Sequence, residues 1–90
     1  MDFATLCDIV RHVKPSTAGR TLSPSDSLVE DLGLDSLDLL QLGRRVQKTA
    51  RVPFVLEQWT AAERAKAHGP RFTIESLLSA VAVLAAGQGA

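Results

Sequence analysis

Residues 26–42 read DSLVEDLGLDSLDLLQL, and they contain the end of a polar loop and the start of a helix. Asp35 is a residue type that favours the N-cap, so we expect the helix to begin near Ser36. At 100° per residue one face of this helix collects its small and apolar residues. These are Leu39, Leu42, Gly43, Val46 and Ala50. Leu37 lies nearly opposite that face, so we expect it to point outward beside Ser36.

The residues before this stretch predict a first helix and a long connection. Asp2 is the expected N-cap of this first helix, and Pro15 disfavours helical structure at Lys14, where the helix should end. Its core stripe consists of Phe3, Leu6, Val10 and Val13. Residues 15–34 are rich in Ser, Thr, Pro and Gly, and a loop of this length in a compact domain is commonly functional. Four apolar residues are expected to pin this loop to the core: Leu28, Val29, Leu32 and Leu34.

The residues after this stretch predict two further helices. Val52-Pro53 ends the second helix, and the following apolar residues up to Trp59 receive no firm assignment. Thr60-Ala-Ala-Glu63 has the spacing of a capping box, which predicts a short helix to about His68, closed by Gly69-Pro70. Thr73 is the expected cap of the last helix. The apolar face of that helix consists of Ile74, Leu77, Leu78, Val81, Leu84 and Ala85.

Composition favours one small helical domain. The chain has 90 residues, of which 46% are hydrophobic and 4% aromatic, so a core of aliphatic side chains is expected. We predict an all-α, small four-helix bundle over residues 1–90, with three main helices, one short helix and a long first loop. Residues 87–90 are expected to fray. Cys7 is the one cysteine, which excludes an internal disulfide, and its place near Phe3 and Val10 predicts a buried, inert thiol.

Charge and hydropathy exclude some partners. The formal net charge is zero, so no overall field attracts nucleic acid. Asp2 and Asp8 stand where a signal peptide would carry positive charge. The apolar run over residues 77–86 is about half the length of a membrane span. We therefore expect a cytoplasmic protein with no membrane span.

Ser36 is the candidate functional residue, and three interpretations of it are open. A catalytic serine needs a base and an orienting group, but the chain offers only His12, assigned to a solvent face, and the distant His68. The sequence before it, Gly33-Leu-Asp-Ser36, also differs from the G-x-S-x-G elbow of hydrolases. Alternatively, the helix start favours a phosphodiester at Ser36, because unpaired N–H groups and the dipole attract anions there. In the third interpretation Ser36 is an ordinary helical residue.

A longer match favours modification. Asp26-Ser-Leu28 and Glu30-Asp-Leu-Gly-Leu-Asp-Ser-Leu-Asp38 resemble the signature of acyl carrier proteins, and the order of helices agrees over essentially the whole chain. The resemblance implies that Ser36 bears 4′-phosphopantetheine, transferred from coenzyme A by a phosphopantetheinyl transferase. Acyl groups would then travel as thioesters between loading and transferring synthase enzymes. It also makes Asp35, Leu37 and Asp38 recognition residues, both aspartates being expected at the surface. Gln41 and Arg44 extend this outward docking face.

The chain also departs from the family's pattern. Carriers of bacterial fatty acid synthesis are usually acidic, whereas the second half of this helix carries Arg44, Arg45, Lys48 and Arg51. These cations are either a solvated face or a surface that would repel a basic synthase. The segment 53–73 is also longer than is usual, which favours polyketide, nonribosomal peptide or unusual lipid biosynthesis.

The resemblance implies a non-catalytic, monomeric carrier, and a start at Met1 without a linker favours a free-standing one. The core around Leu39, Leu42, Gly43 and Val46 is a candidate shelter for the acyl chain. The alternative function is an unmodified, carrier-like protein-interaction module.

Overall fold

The computed structural model describes residues 1–66 and 71–88. Over these residues the α-helices in chain order are α1 (Phe3–Val13), α2 (Ser36–Ala50), α3 (Leu56–Arg64) and α4 (Ile74–Gln88), with a 3-10 helix over Pro15–Thr17. Helix α2 packs against α1, α3 and α4, and α1 also packs against α4. The predicted four-helix bundle with one short helix and a long first loop is confirmed. The first two residues of the expected tail are part of α4, and residues 89–90 lie outside the described residues.

Helix α1 begins and ends where the sequence predicts. Asp2 caps it, with its Oδ1 accepting from Thr5 N at 2.8 Å, and the helix stops at Val13, two residues before Pro15. Its buried residues are Leu6, Cys7, Val10 and Val13, while Phe3 is half-buried. Burial raises the pKa of the Cys7 thiol, which keeps it protonated and confirms the prediction of a buried cysteine.

The long loop is held by its own leucines and hydrogen bonds. Leu28, Leu32 and Leu34 are buried as expected, and Leu22 is buried with them. Val29 was expected in this set, but that prediction is wrong: its side chain is 38% exposed. The reason is a local turn, in which Asp31 and Leu32 donate their backbone N–H groups to Ser27 O and so direct Val29 away from the core.

The start of α4 holds the same loop. Ser27 and Thr73 form an isolated antiparallel bridge, in which Leu28 N donates to Phe72 O at 2.9 Å and Ile74 N donates to Asp26 O at 3.1 Å. Thr73 caps α4 as predicted, because its hydroxyl accepts from Ser76 N at 3.1 Å. The loop is therefore a fixed part of the fold that leads into α2.

Helix α3 differs from the prediction. It begins at Leu56, so Thr60 is an interior residue whose hydroxyl donates to Glu57 O, and the expected capping box is wrong. The earlier start buries Trp59, whose ring centroid lies 6.3 Å from that of Phe54 and 5.6 Å from that of Phe72. Burying this large side chain stabilises the fold by more than an N-cap hydrogen bond at Thr60 would. His68, Gly69 and Pro70 lie outside the described residues.

Gly43 allows α2 to approach the segment before α3. A Cβ atom added at Gly43 would lie 3.4 Å from Phe54 Cε1 and 3.7 Å from Leu56 Cβ. Gly43 thus permits close packing rather than leaving a space beneath the helix. The helix ends at Ala50, and Arg51 follows in the left-handed conformation with φ 56°. No helix within residues 1–66 and 71–88 is long and apolar enough to cross a lipid bilayer.

Candidate attachment site at the start of α2

Ser36 is the first residue of α2, and its side chain is exposed. Just before it, Gly33 takes a positive φ of 76°, which turns the chain, and Leu34 is buried. Leu34 therefore anchors the backbone in the core while Ser36, two residues later, faces solvent. This arrangement makes the hydroxyl accessible from a rigid position.

Two aspartates close the helix start with a reciprocal capping box. Asp35 Oδ1 accepts from Asp38 N at 2.8 Å, and Asp38 Oδ2 accepts from Asp35 N at 3.2 Å. The backbone N–H groups of Ser36 and Leu37 have no partner among the described residues. Both therefore remain free to face an anion at Ser36.

Asp38 is less exposed than the sequence indicated. Only 19% of its side chain is accessible, and Lys14 Nζ lies 3.7 Å from its Oδ2. The expectation of an exposed Asp38 is therefore wrong, because the cap turns its carboxylate back onto the helix start. The Lys14 contact joins residues distant in sequence, and no local pattern indicates it. A lysine beside this carboxylate also offsets its repulsion of a nearby anion.

The site lacks the surroundings of a catalytic serine in the part of the chain that the structure describes. Ser36 Oγ makes no hydrogen bond to any described residue, and His12 is exposed on α1. What the described residues do offer is an accessible hydroxyl, two free N–H groups and a lysine paired with the capping Asp38. These features fit a phosphate ester at Ser36.

An outward face continues from Ser36 along α2. Leu37 is 62% exposed, as its place opposite the core stripe predicts, and Gln41 and Arg44 are exposed as well. The structure thus brings the predicted recognition residues onto one side of the molecule, with Asp35 and Asp38 at its beginning.

A groove beside this face was missed from the sequence. It has a volume of about 340 Å³ and is lined mainly by Leu40, Gly43 and Arg44 of α2 and by residues 54–57. Leu40 and Val55 are each 42% exposed at this groove. The position of Leu40 on the flank of α2 was a partial signal, but the other wall depends on the segment that periodicity left unassigned.

Comparison with known proteins identifies the family. A sequence model of the family described as "Phosphopantetheine attachment site" matches residues 3–55, which is more than half of the 90 residues. The chain belongs to this family. The match covers α1, the long loop and α2, so Ser36 lies inside it, whereas α3 and α4 lie beyond it. The predicted resemblance to acyl carrier proteins is confirmed, and 4′-phosphopantetheine is the group that this carrier family bears.

Individual proteins similar to this chain are acyl carrier proteins by name. The acyl carrier proteins AcpXL of Brucella melitensis and Brucella suis are each 40% identical to this chain over 40 residues, which are 44% of this chain and 43% of theirs. AcpXL of Rhizobium meliloti is 40% identical over 40 residues, or 44% of this chain and 42% of its own. The chain spans less than half the length of the curated relatives that it matches.

Proposed function

We propose that Ser36 carries 4′-phosphopantetheine as a phosphodiester and that the protein presents acyl thioesters on this arm to other enzymes. The observation that carries the proposal is the exposed Ser36 hydroxyl at the first position of a capped helix, within the stretch that matches the family. When bound, the group supplies a terminal thiol, which forms the thioester. The protein itself performs no chemistry in this function.

The surrounding residues position the arm. Leu34 and the capping box fix the first turn of α2, so the ester oxygen starts from a defined place. The free N–H groups of Ser36 and Leu37 face the phosphodiester oxygens, where the helix dipole stabilises negative charge. Lys14 reduces the repulsion between Asp38 and that phosphate.

The face that begins at Leu37 serves as the docking surface for the phosphopantetheinyl transferase and the synthase enzymes. Leu37, Gln41 and Arg44 contribute side chains that solvent already reaches. Asp35 and Asp38 contribute mainly by shaping the helix start on which those enzymes act. We propose that the carrier acts as a monomer in the cytoplasm.

A specialised pathway suits this carrier better than general fatty acid synthesis. Its formal net charge is zero, and the second half of α2 is basic. The candidate pathways are polyketide, nonribosomal peptide and unusual lipid assembly. The relatives' names specify acyl carriers, which favours an acyl cargo over an aminoacyl one.

Loading of the purified protein tests this proposal. Incubation with coenzyme A, Mg²⁺ and a broad-specificity phosphopantetheinyl transferase should increase the intact mass of the wild-type protein by one phosphopantetheine. Ser36→Ala should abolish the increase. Ser25→Ala is a matched control, because Ser25 is an exposed serine of the preceding loop, and this variant should load like the wild type.

The opposite result would favour a different function. A folded wild-type protein that gains no mass would be an unmodified carrier-like interaction module. A gain that persists in Ser36→Ala would place the attachment on another residue.

A further inference from the structure

The second half of α2 presents positive charge that the protein does not use internally. Arg44, Arg45, Lys48 and Arg51 are all exposed, and no acidic residue lies between them in the sequence. The ion pairs found within the described ranges use Asp8, Asp38 and Glu63 as their acids, with Arg11, Lys14 and Lys66 as the cations. None of them involves these four side chains, of which three lie in α2 and Arg51 directly follows it.

The stability of α2 does not explain this arrangement. Arg44 and Lys48 are four residues apart, so their like charges are neighbours on the helix surface and repel each other. The helix dipole favours cations only in the last turn, which accounts for Lys48 but not for Arg44 or Arg45 in the middle of the helix. The spacing of Arg44 and Lys48 therefore does not stabilise α2 itself.

Apolar groups adjoin the same cations. Leu37, Arg44 and Lys48 recur at a spacing that places them along one line of the helix surface. On the flank of that line, Leu40 and Val55 border the groove described above. Arg44 and the exposed acid Glu57 also line this groove. An exposed apolar patch rimmed by charged residues is typical of a protein-binding surface, and along α2 the charges of this rim are Arg44 and Lys48.

We propose that this surface, formed by Leu37, Leu40, Arg44, Lys48 and Val55, docks an acidic partner enzyme. The partner's carboxylates lie opposite Arg44 and Lys48, and one of its apolar side chains enters the groove beside Leu40. The inference rests on the proposed carrier function and specifies the chemistry of the enzymes that receive the carrier. Charge complementarity decides the choice, because a basic docking surface would meet the exposed cations Arg44 and Lys48.

A pair of peptide probes tests this inference on the unmodified protein. One probe carries glutamates on both sides of a single leucine, and the other carries lysines in the same places. Titration of ¹⁵N-labelled protein at about 50 mM salt, where surface charges are weakly screened, should shift amide signals of α2 and Val55 with the glutamate probe only. Arg44→Glu/Lys48→Glu should weaken that binding by about tenfold or more.

A charge-matched control shows whether binding of the probe depends on this surface or only on the protein's total charge. Arg64→Glu/Arg71→Glu makes the same charge change on exposed residues outside α2 and should bind the glutamate probe like the wild type. Ser36→Ala should also bind it, so this result is independent of loading. Equal binding of both probes, no binding, or shifts confined to other surfaces would overturn the inference, even for a protein that loads normally at Ser36.

Discussion

At the scale of single residues, Asp35 and Asp38 have a structural role that a recognition motif alone does not reveal. Each carboxylate accepts a backbone N–H of the other residue, and Asp38 also contacts Lys14. The position of Ser36 depends on this pair, because the cap determines where α2 begins. Substitutions at either aspartate therefore change the geometry of the attachment site as well as its charge.

Asp35→Ala should destabilise the protein by about 1 kcal/mol, since the N-cap hydrogen bond to Asp38 is lost. Asp35→Asn keeps a side-chain oxygen that can accept the same bond and should retain most of the stability. Urea unfolding of both variants measures the difference. An Asp35→Ala protein as stable as the wild type would contradict the structural role of the cap.

The loading rates of these two variants distinguish the capping role of Asp35 from recognition of its charge by the transferase. If the transferase needs the charge of Asp35, both variants should load slowly, although only the Asp35→Ala protein is less stable than the wild type. If the transferase needs only a correctly capped start of α2, the Asp35→Asn protein should load like the wild type.

At the scale of elements, the contact between α2 and the segment before α3 depends on Gly43. Glycine in a helix interior costs about 1 kcal/mol relative to alanine. A Cβ atom 3.4 Å from Phe54 is in ordinary contact, so Gly43→Ala should fit and raise the free energy of unfolding by up to about 1 kcal/mol.

A larger side chain at the same position should have the opposite effect. Gly43→Leu would displace Phe54 and cost about 1–3 kcal/mol through overpacking. Thermal unfolding of the two variants checks the sign of each change. A stabilising leucine would mean that space does exist beneath α2, and it would favour the shelter for an acyl chain around Leu42 and Val46.

The elements also show why some sequence predictions succeeded and others failed. The outward direction of Leu37 followed from helical periodicity, because α2 is long and has one clear core face. The start of α3 did not follow from periodicity. It depends on the packing of Trp59 between Phe54 and Phe72, and these two phenylalanines are distant from each other in sequence. The Thr60–Glu63 pattern was a valid local signal that tertiary packing overrode.

At the scale of the whole molecule, Glu63 links the third and fourth helices. It is buried and pairs with Lys66, and Trp59 Nε1 donates to Ser76 Oγ at 3.1 Å beside it. Burial raises the pKa of Glu63, but the positive Lys66 that pairs with its Oε2 and the nearby hydroxyl of Ser76 outweigh burial, so the pKa is lowered.

The lowered pKa predicts how stability depends on pH. Because the folded pKa lies below the unfolded one, ionised Glu63 contributes stability above its ordinary pKa, and that contribution is lost as pH falls through the folded value. Glu63→Gln lacks this contribution. The difference in unfolding free energy between wild type and variant should therefore shrink between about pH 6 and about pH 3. A difference that stays constant over this range would contradict the assignment.

The overall architecture was more predictable than the surface that surrounds the site. Caps at Asp2, Asp35 and Thr73 and the aliphatic stripes specify the bundle through local physics. The groove at Leu40, the Lys14–Asp38 contact and the burial of Glu63 arise only when separate segments meet. The basic half of α2 was visible in the sequence, but only coordinates show that its cations form no ion pair within residues 1–66 and 71–88.

The most direct test of the account is to locate the attached group within the loaded protein. Trypsin cleavage after Arg20 and Arg44 gives a peptide that contains Ser23, Ser25, Ser27 and Ser36 together, so fragmentation of this peptide by mass spectrometry can distinguish them. We predict phosphopantetheine on Ser36 and on no other serine of the peptide. An unmodified peptide after complete reaction, or a group on one of the loop serines, would contradict it.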